Sequence, residues 1–176
     1  LKGLLADGNT AAALEYVDAA QGDIEAVTPA YYCLNSTVNL ILSSFVARGE
    51  KLGVVLKVEA NLPQEIALSE TELCAILSNG LENAVTATAK FTSGEKIVMV
   101  HLSLHRGNLL LSMENPYEGE VRMENGLPQS TAPGHGFGVR SIEMLTRKHS
   151  GYCSFTAEGG LFTLKVVLPL GAPELR

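Results

Sequence analysis

One amphipathic segment in the middle of the chain, from Ser69 to Ala84, most limits the folds open to this sequence. Apolar residues recur in it at spacings of three and four, which predicts a helix with a single buried stripe. The stripe consists of Leu73, Ile76, Leu77, Gly80, Leu81 and Ala84. The segment opens with Ser69-Glu70-Thr71-Glu72, which has the form of a capping box and predicts that the helix starts there. A helix with one such stripe must pack against a second layer.

Two asparagines border this stripe. Asn79 and Asn83 are one helical turn apart and, at about 100° per residue, lie about 40° from each other on the edge that faces a cleft. Asn83 could supply a neutral oxygen to a Mg²⁺ ion held mainly by nucleotide phosphates, or it could be a solvent-facing helix amide. Glu82 projects about 100° away from Asn83 and is predicted to be a solvated surface charge.

A second motif follows some fifty residues later, where a glycine-rich stretch runs into a predicted helix. Free backbone N–H groups and the positive end of the helix dipole attract phosphate at such a point. Glycines allow the backbone to approach a polyphosphate closely. His135 could donate to a phosphate or be an exposed loop residue, and Arg140 could pair with a phosphate or be a surface charge. The motif comprises Gly134, His135, Gly136, Phe137, Gly138, Val139 and Arg140.

The remaining pattern predicts an α+β domain, a two-layer α/β sandwich with a mixed, mostly antiparallel sheet and helices on one face. Strands are predicted at 54–59, 97–104, 109–113, 152–156 and 161–168, and further helices from Asn35 to Gly53 and from Gly138 to His149. Residues 115–137 show little periodicity and are predicted to form a long functional loop. Residues 1–28 read as a short helical segment preceding a domain at 29–176.

Composition excludes several classes of function. The formal net charge of −6 disfavours a surface for nucleic acid or anionic membrane. No apolar run approaches the roughly 20 residues that span a bilayer. The three cysteines, Cys33, Cys74 and Cys153, lack metal-ligand spacing and are predicted to be reduced core thiols.

Because the chain begins without Met inside a helical pattern, we expect it to be a fragment of a longer protein.

The order of these motifs resembles the GHKL ATP-binding fold, also called the Bergerat fold. The resemblance rests on Glu72 to Ala84, Asn115 at a strand end, and Gly134 to Ile142. Within that fold the chain looks like the catalytic domain of AgrC-like sensor histidine kinases, over nearly its whole length. The resemblance implies ATP and Mg²⁺ as cofactors, Asn83 as the metal ligand, and Asn79 beside the phosphates, with the glycine loop closing over them.

Two features refine what the resemblance implies. Related ATPases of the gyrase and Hsp90 type carry a water-activating glutamate where this chain has Asn79, which cannot act as a base. Transfer of the γ-phosphoryl group to a protein side chain therefore fits better than hydrolysis. The Asp-x-Gly-x-Gly box, whose aspartate accepts from the adenine amino group, is replaced by Asn115-Pro116-Tyr117-Glu118-Gly119. Asn115 could still accept through its carbonyl oxygen.

The resemblance also predicts partners that lie outside this chain. Residues 1–100 contain no histidine, so we expect the phosphoacceptor histidine upstream of Leu1. The expected whole is a homodimeric, membrane-anchored kinase with a cytoplasmic catalytic portion and a cognate response regulator. Two alternatives share the fold: a GHKL module that has lost catalysis and regulates a partner, and a serine kinase of the anti-sigma-factor type. The helical leader, residues 1–28, favours the histidine kinase. It would be the C-terminal part of the dimerisation helices, whereas the anti-sigma type needs no dimerisation hairpin.

Overall fold

A computed structural model of the chain describes residues 31–129 and 137–171. The predicted leader at 1–28 lies outside these residues. In the described part, helices are α1 (Ser36–Lys51), α2 (Glu70–Lys90) and α3 (Phe137–Lys148). The strands are β1 (Val55–Asn61), β2 (Ile97–His105), β3 (Asn108–Pro116), β4 (Met123–Glu124), β5 (Leu127–Pro128), β6 (Tyr152–Glu158) and β7 (Leu161–Pro169).

Five strands form one sheet in the order β1-β2-β3-β7-β6. The β1–β2 pair is parallel, and the other three pairs are antiparallel. Side chains alternate across the strands, so that rows such as Leu102, Leu111 and Val166 lie in register and are buried on one face. The predicted α+β class, with a mixed and mostly antiparallel sheet, is therefore confirmed.

Helix α2 packs across the inner face of the sheet. All six residues of its predicted stripe are buried, together with Val85 and Thr88. Gly80 lies at the closest approach, where a methyl group would come within 2.8 Å of Met113 Sδ in β3. Contacts also join α2 to both α1 and α3. Helix α2 therefore packs against the sheet and against both of the other helices.

Helix α1 begins as predicted, because the Asn35 side chain accepts a hydrogen bond from Val38 N at 2.9 Å. The apolar residues from Val38 to Phe45 predict a largely buried helix, and this is only partly correct. Val38, Ile41 and Leu42 are in the core, whereas Leu40 is 73% exposed on the outer side of the helix.

The predicted capping box at the start of α2 does not form. The helix begins at Glu70 as expected, but the Ser69 side chain makes no capping hydrogen bond. Glu72 instead bonds Lys148 Nζ at 2.6 Å and His149 Nε2 at 3.0 Å. A hydrogen bond from the charged Lys148 to the ionised Glu72 is stronger than one from a neutral backbone N–H. Glu72 therefore ties the first turn of α2 to the end of α3.

The long segment before α3 contains more regular structure than predicted. Strand β3 continues to Pro116, and β4 and β5 pair as a small hairpin. Asn125 and Gly126 form its turn with φ values of 51° and 77°, as expected of a type I′ turn. Asn-Gly is a favoured sequence for this turn. Each strand has only two residues, however, which is too short for an alternating pattern to be recognised.

The three cysteines lie in the hydrophobic core or pack against it. Cys33, Cys74 and Cys153 are free thiols, the first buried and the others half-buried. Burial raises the pKa of the Cys33 and Cys153 thiols, as expected for inert core groups. Within 31–129 and 137–171, no helix is long and apolar enough to cross a membrane.

We expect Gly151→Ala to destabilise the domain. Gly151 N donates to Thr146 O at 2.9 Å after the end of α3, and an added methyl group would clash with the backbone oxygen of Val167 in β7. Overpacking against backbone should lower the free energy of unfolding by about 2 kcal/mol in urea titrations. Gly171→Ala is the control, since no atom of the described residues lies within 4 Å of the added methyl group. Equal stability of the two variants would contradict this packing.

We also expect a pH-dependent contribution from Glu72. Hydrogen bonds from Lys148 and His149 lower the pKa of its carboxyl group. The ionised form therefore stabilises the fold above the ordinary glutamate pKa, and this contribution is lost as pH falls through the lowered value. Glu72→Gln should reduce the melting temperature at pH 7, with the difference from wild type shrinking below pH 4.

Glu70→Gln is the matched control for the Glu72 variant. Glu70 shares the first turn of α2, and hence the helix dipole, but it is exposed and has no ion pair among the described residues. If both variants lower the melting temperature equally, the bonds to Lys148 and His149 contribute nothing beyond the dipole.

Candidate nucleotide-binding site

The two sequence motifs meet where α2 contacts the first turn of α3. A methyl group placed on Gly138 would lie 3.1 Å from Asn79 Oδ1 and 3.4 Å from Asn79 Cγ. The half-buried Asn79 side chain therefore lies directly against the backbone of the glycine motif. Any larger residue at position 138 would have to displace it. Tertiary structure thus joins two motifs that are nearly sixty residues apart in sequence.

Asn83 lies one turn further along α2 and is exposed. Its carboxamide makes no hydrogen bond to another described residue, so its oxygen is available to a ligand. No cluster of three or more His, Cys, Asp or Glu side chains able to hold a metal occurs in the described ranges. Mg²⁺ commonly takes one or two protein oxygens and completes its shell with phosphates and water. The exposed amide of Asn83 fits that mode of binding.

Asn115 lies near the end of β3, on the same face of the sheet as Met113, which packs under Gly80 of α2. It is a rare buried polar residue in this structure, with 3% of its surface exposed. Its Nδ2 donates to Pro116 O at 2.9 Å. That bond uses one of the two Nδ2 hydrogens and orients the amide, and Oδ1 makes no hydrogen bond to another described residue.

The structure describes only part of the predicted glycine motif. Gly134, His135 and Gly136 lie outside the described residues. Phe137 is 77% exposed at the start of α3 and Arg140 is exposed one turn later, so both can face a ligand. Val139 is buried in the core, which leaves its backbone as the only group it can offer to a ligand.

The electrostatic environment at the start of α3 favours an anion. The first turn of the helix contains no acidic residue, and Arg140 adds a positive charge there. The free backbone N–H groups of the first turn and the helix dipole favour negative charge at this point. The local environment therefore suits phosphate, although the whole chain carries a net charge of −6.

Glu82, next to Asn83 in sequence, is a surface charge as predicted, with 47% of its side chain exposed, but it is also paired. It forms a bidentate ion pair with Arg48 of α1, with Arg48 Nη2 donating to Oε1 at 2.8 Å, and it accepts from Thr86 Oγ1 at 3.2 Å. The hydrogen bond from Arg48 is the largest cause of its lowered pKa. This carboxylate is therefore held toward α1.

Glu118, which no sequence motif singles out, accepts more hydrogen bonds than any other carboxylate among the described residues. It connects the end of β3 to the loop after α2, and its pKa is lowered to about 2. No local pattern reveals this contact, because its partners, Thr92 and Ser93, are about 25 residues away.

Several solved structures share the fold of this chain. The chain is similar to histidine kinase AdeS of Acinetobacter baumannii, with a TM-score of 0.60 and 14% identity over 78% of this chain and 64% of that one. It is similar to the catalytic domain of histidine kinase ThkA, with a TM-score of 0.61 and 17% identity over 76% and 92%. A blue-light activated histidine kinase, EL346 of Erythrobacter litoralis, matches with a TM-score of 0.56 and 18% identity.

The chain covers less than two thirds of AdeS and 42% of EL346. At these identities the likeness shows a shared fold. No curated protein sequence matches significantly. The family profile described as "GHKL domain" matches residues 68–169, more than half of the chain, and spans α2, the sheet from β2 onward and α3. By this match and by its fold, the chain belongs to the GHKL domain family, whose members bind ATP.

Proposed function

We propose that this chain is the ATP-binding catalytic domain of a sensor histidine kinase of the AgrC-like type. The observation that carries the proposal is the contact between Asn79 and Gly138, which brings the asparagine helix and the phosphate-attracting helix start into one site. The structural neighbours AdeS, ThkA and EL346 are histidine kinases, which supports the same reading.

The side chains at this site suit phosphoryl transfer better than hydrolysis. Asn79 has no ionisable group and cannot activate water as a general base. Asn83 would supply one oxygen to Mg²⁺, which when bound neutralises charge on the β- and γ-phosphates. The first turn of α3, with Gly138 and Arg140, would hold phosphate oxygens through backbone N–H groups and one cation. Such a site works by positioning and charge stabilisation.

The acceptor histidine is proposed to lie outside this chain. His101 and His105 are on strand β2, and His149 follows α3, where it bonds Glu72. None of these three belongs to a helix that could pair with a second copy. We therefore propose a dimerisation segment that carries the histidine, followed by transfer to a response regulator. The complete protein would be a homodimer with this domain on the cytoplasmic side of a membrane.

Asn83→Ala should weaken binding of Mg·ATP at least tenfold, because the variant lacks the proposed protein oxygen on the metal. Isothermal titration of the 176-residue chain with ATP, with Mg²⁺ or with EDTA, measures the effect. Wild type should lose affinity in EDTA, and the variant should bind equally with and without Mg²⁺. Asn61→Ala is the control, since Asn61 is another exposed carboxamide, at the end of β1.

Transfer is tested by adding a histidine-bearing dimerisation segment and labelled Mg·ATP. Acid-labile, base-stable phosphate that disappears with Asn83→Ala would support the kinase. Tight ATP binding with no transfer to any histidine segment would favour the regulatory module instead. If wild type binds no Mg·ATP, the nucleotide proposal is wrong.

We expect ATP to bind at least tenfold more tightly than GTP, through Asn115. Because the bond from Nδ2 to Pro116 O orients the amide, we expect Oδ1 to accept from the 6-amino group of adenine and to be opposed by the 6-oxo group of guanine. Asn115→Asp keeps an acceptor and should retain the preference, whereas Asn115→Leu should abolish it. Competition between the two nucleotides measures the ratio. A preference that survives in Asn115→Leu would exclude this role.

A further inference from the structure

A single oxygen of Glu118 accepts four hydrogen bonds from two consecutive residues. Thr92 donates to Oε1 from its backbone N at 2.7 Å and from Oγ1 at 2.9 Å, and Ser93 donates from its backbone N at 2.9 Å and from Oγ at 2.7 Å. Thr92 and Ser93 lie in the connection from α2 to β2, and Glu118 follows β3 by two residues. We call these three residues the Glu118 clamp.

The negative charge on Glu118 strengthens the hydrogen bonds of the clamp. Hydrogen bonds from Ser93 and Thr92 lower the pKa of the carboxyl group to about 2, so it is ionised throughout the neutral range. Hydrogen bonds to an ionised acceptor are roughly twice as strong as those between neutral groups. A neutral amide in the same place would keep the shape of the side chain but not this strength.

The clamp is linked to Asn115 through the backbone between them. Tyr117 N donates to Gly160 O at 3.1 Å, so the segment after Asn115 is held on one side by the β6–β7 turn and on the other by the clamp. The carbonyl of Pro116, inside this held segment, accepts from Asn115 Nδ2. Any shift of Pro116 therefore moves the acceptor that orients the Asn115 amide.

We propose that Glu118 is a positioning residue of the nucleotide site, which acts by holding the Pro116 carbonyl and hence the orientation of the Asn115 amide. The proposal rests on the proposed function, in which Asn115 distinguishes purines. Glu118 need not touch the nucleotide. Its role predicts an effect on the choice of base rather than on binding of the phosphates.

The test compares dissociation constants for Mg·ATP and Mg·GTP, measured by titration calorimetry on the 176-residue chain. Glu118→Gln should weaken Mg·ATP about fivefold or more and leave Mg·GTP unchanged, so that the preference for ATP falls by the same factor. General destabilisation would weaken both nucleotides alike, which makes the ratio the informative quantity. Glu120→Gln removes the same charge two residues away at an exposed position and should behave as wild type.

A second variant approaches the clamp from the donor side. Thr92→Ala combined with Ser93→Ala removes two hydroxyl donors and keeps the two backbone donors, so the ATP preference should fall in the same direction but less. Adding Glu118→Gln to this double variant should produce no more than the effect of Glu118→Gln alone, since both act through one contact. Circular dichroism melting verifies that each variant is folded.

The outcomes separate the two proposals. If wild type prefers ATP and Glu118→Gln keeps that preference, the positioning role is wrong and the proposed function stands. A wild-type chain that binds both nucleotides equally would overturn the roles of Asn115 and Glu118 but not nucleotide binding. If wild type binds no Mg·ATP, both proposals are wrong.

Discussion

The packing of α2 across the sheet is the interaction on which the rest of this structure depends. Its buried stripe packs on β3 and β2, and Gly80 allows the helix to approach Met113 of β3 and Leu164 of β7 closely. Each fully buried Leu or Ile of the stripe contributes about 1.5–3 kcal/mol. An exposed ion pair such as Arg48–Glu82 contributes about 0–1 kcal/mol. Burial therefore sets where α2 lies, and the polar contacts refine it.

That placement determines the candidate site, because the two asparagines lie at the edge of the buried stripe. Once the stripe is packed on the sheet, Asn79 meets the first turn of α3 and Asn83 remains exposed beyond it. The same packing places the end of β3, with Asn115, on the side of the sheet that α2 covers. The candidate site therefore lies where the buried face of α2 gives way to its exposed face.

Three carboxylates connect the elements around the site, and each joins segments distant in sequence. Glu72 joins α2 to the end of α3, Glu82 joins α2 to α1, and Glu118 joins the end of β3 to the loop after α2. From local patterns, Glu72 is expected in a capping box and Glu82 is expected to be a surface charge, and Glu118 has no assigned role. Local patterns describe neighbours within a few positions, whereas these partners are 25 to 77 residues away.

The sequence alone determined the three helices, the five long strands and the buried face of α2, because periodicity and caps depend on residues only a few positions apart. It placed α1 at its Asn35 cap, the α2 stripe, strands β2 and β3, and α3, and it missed the short β4–β5 hairpin. Only the tertiary structure decided which motifs meet and which charges pair. Asn79 touches Gly138, and Glu118 binds Thr92 and Ser93, because hydrophobic packing of separate elements brings them together.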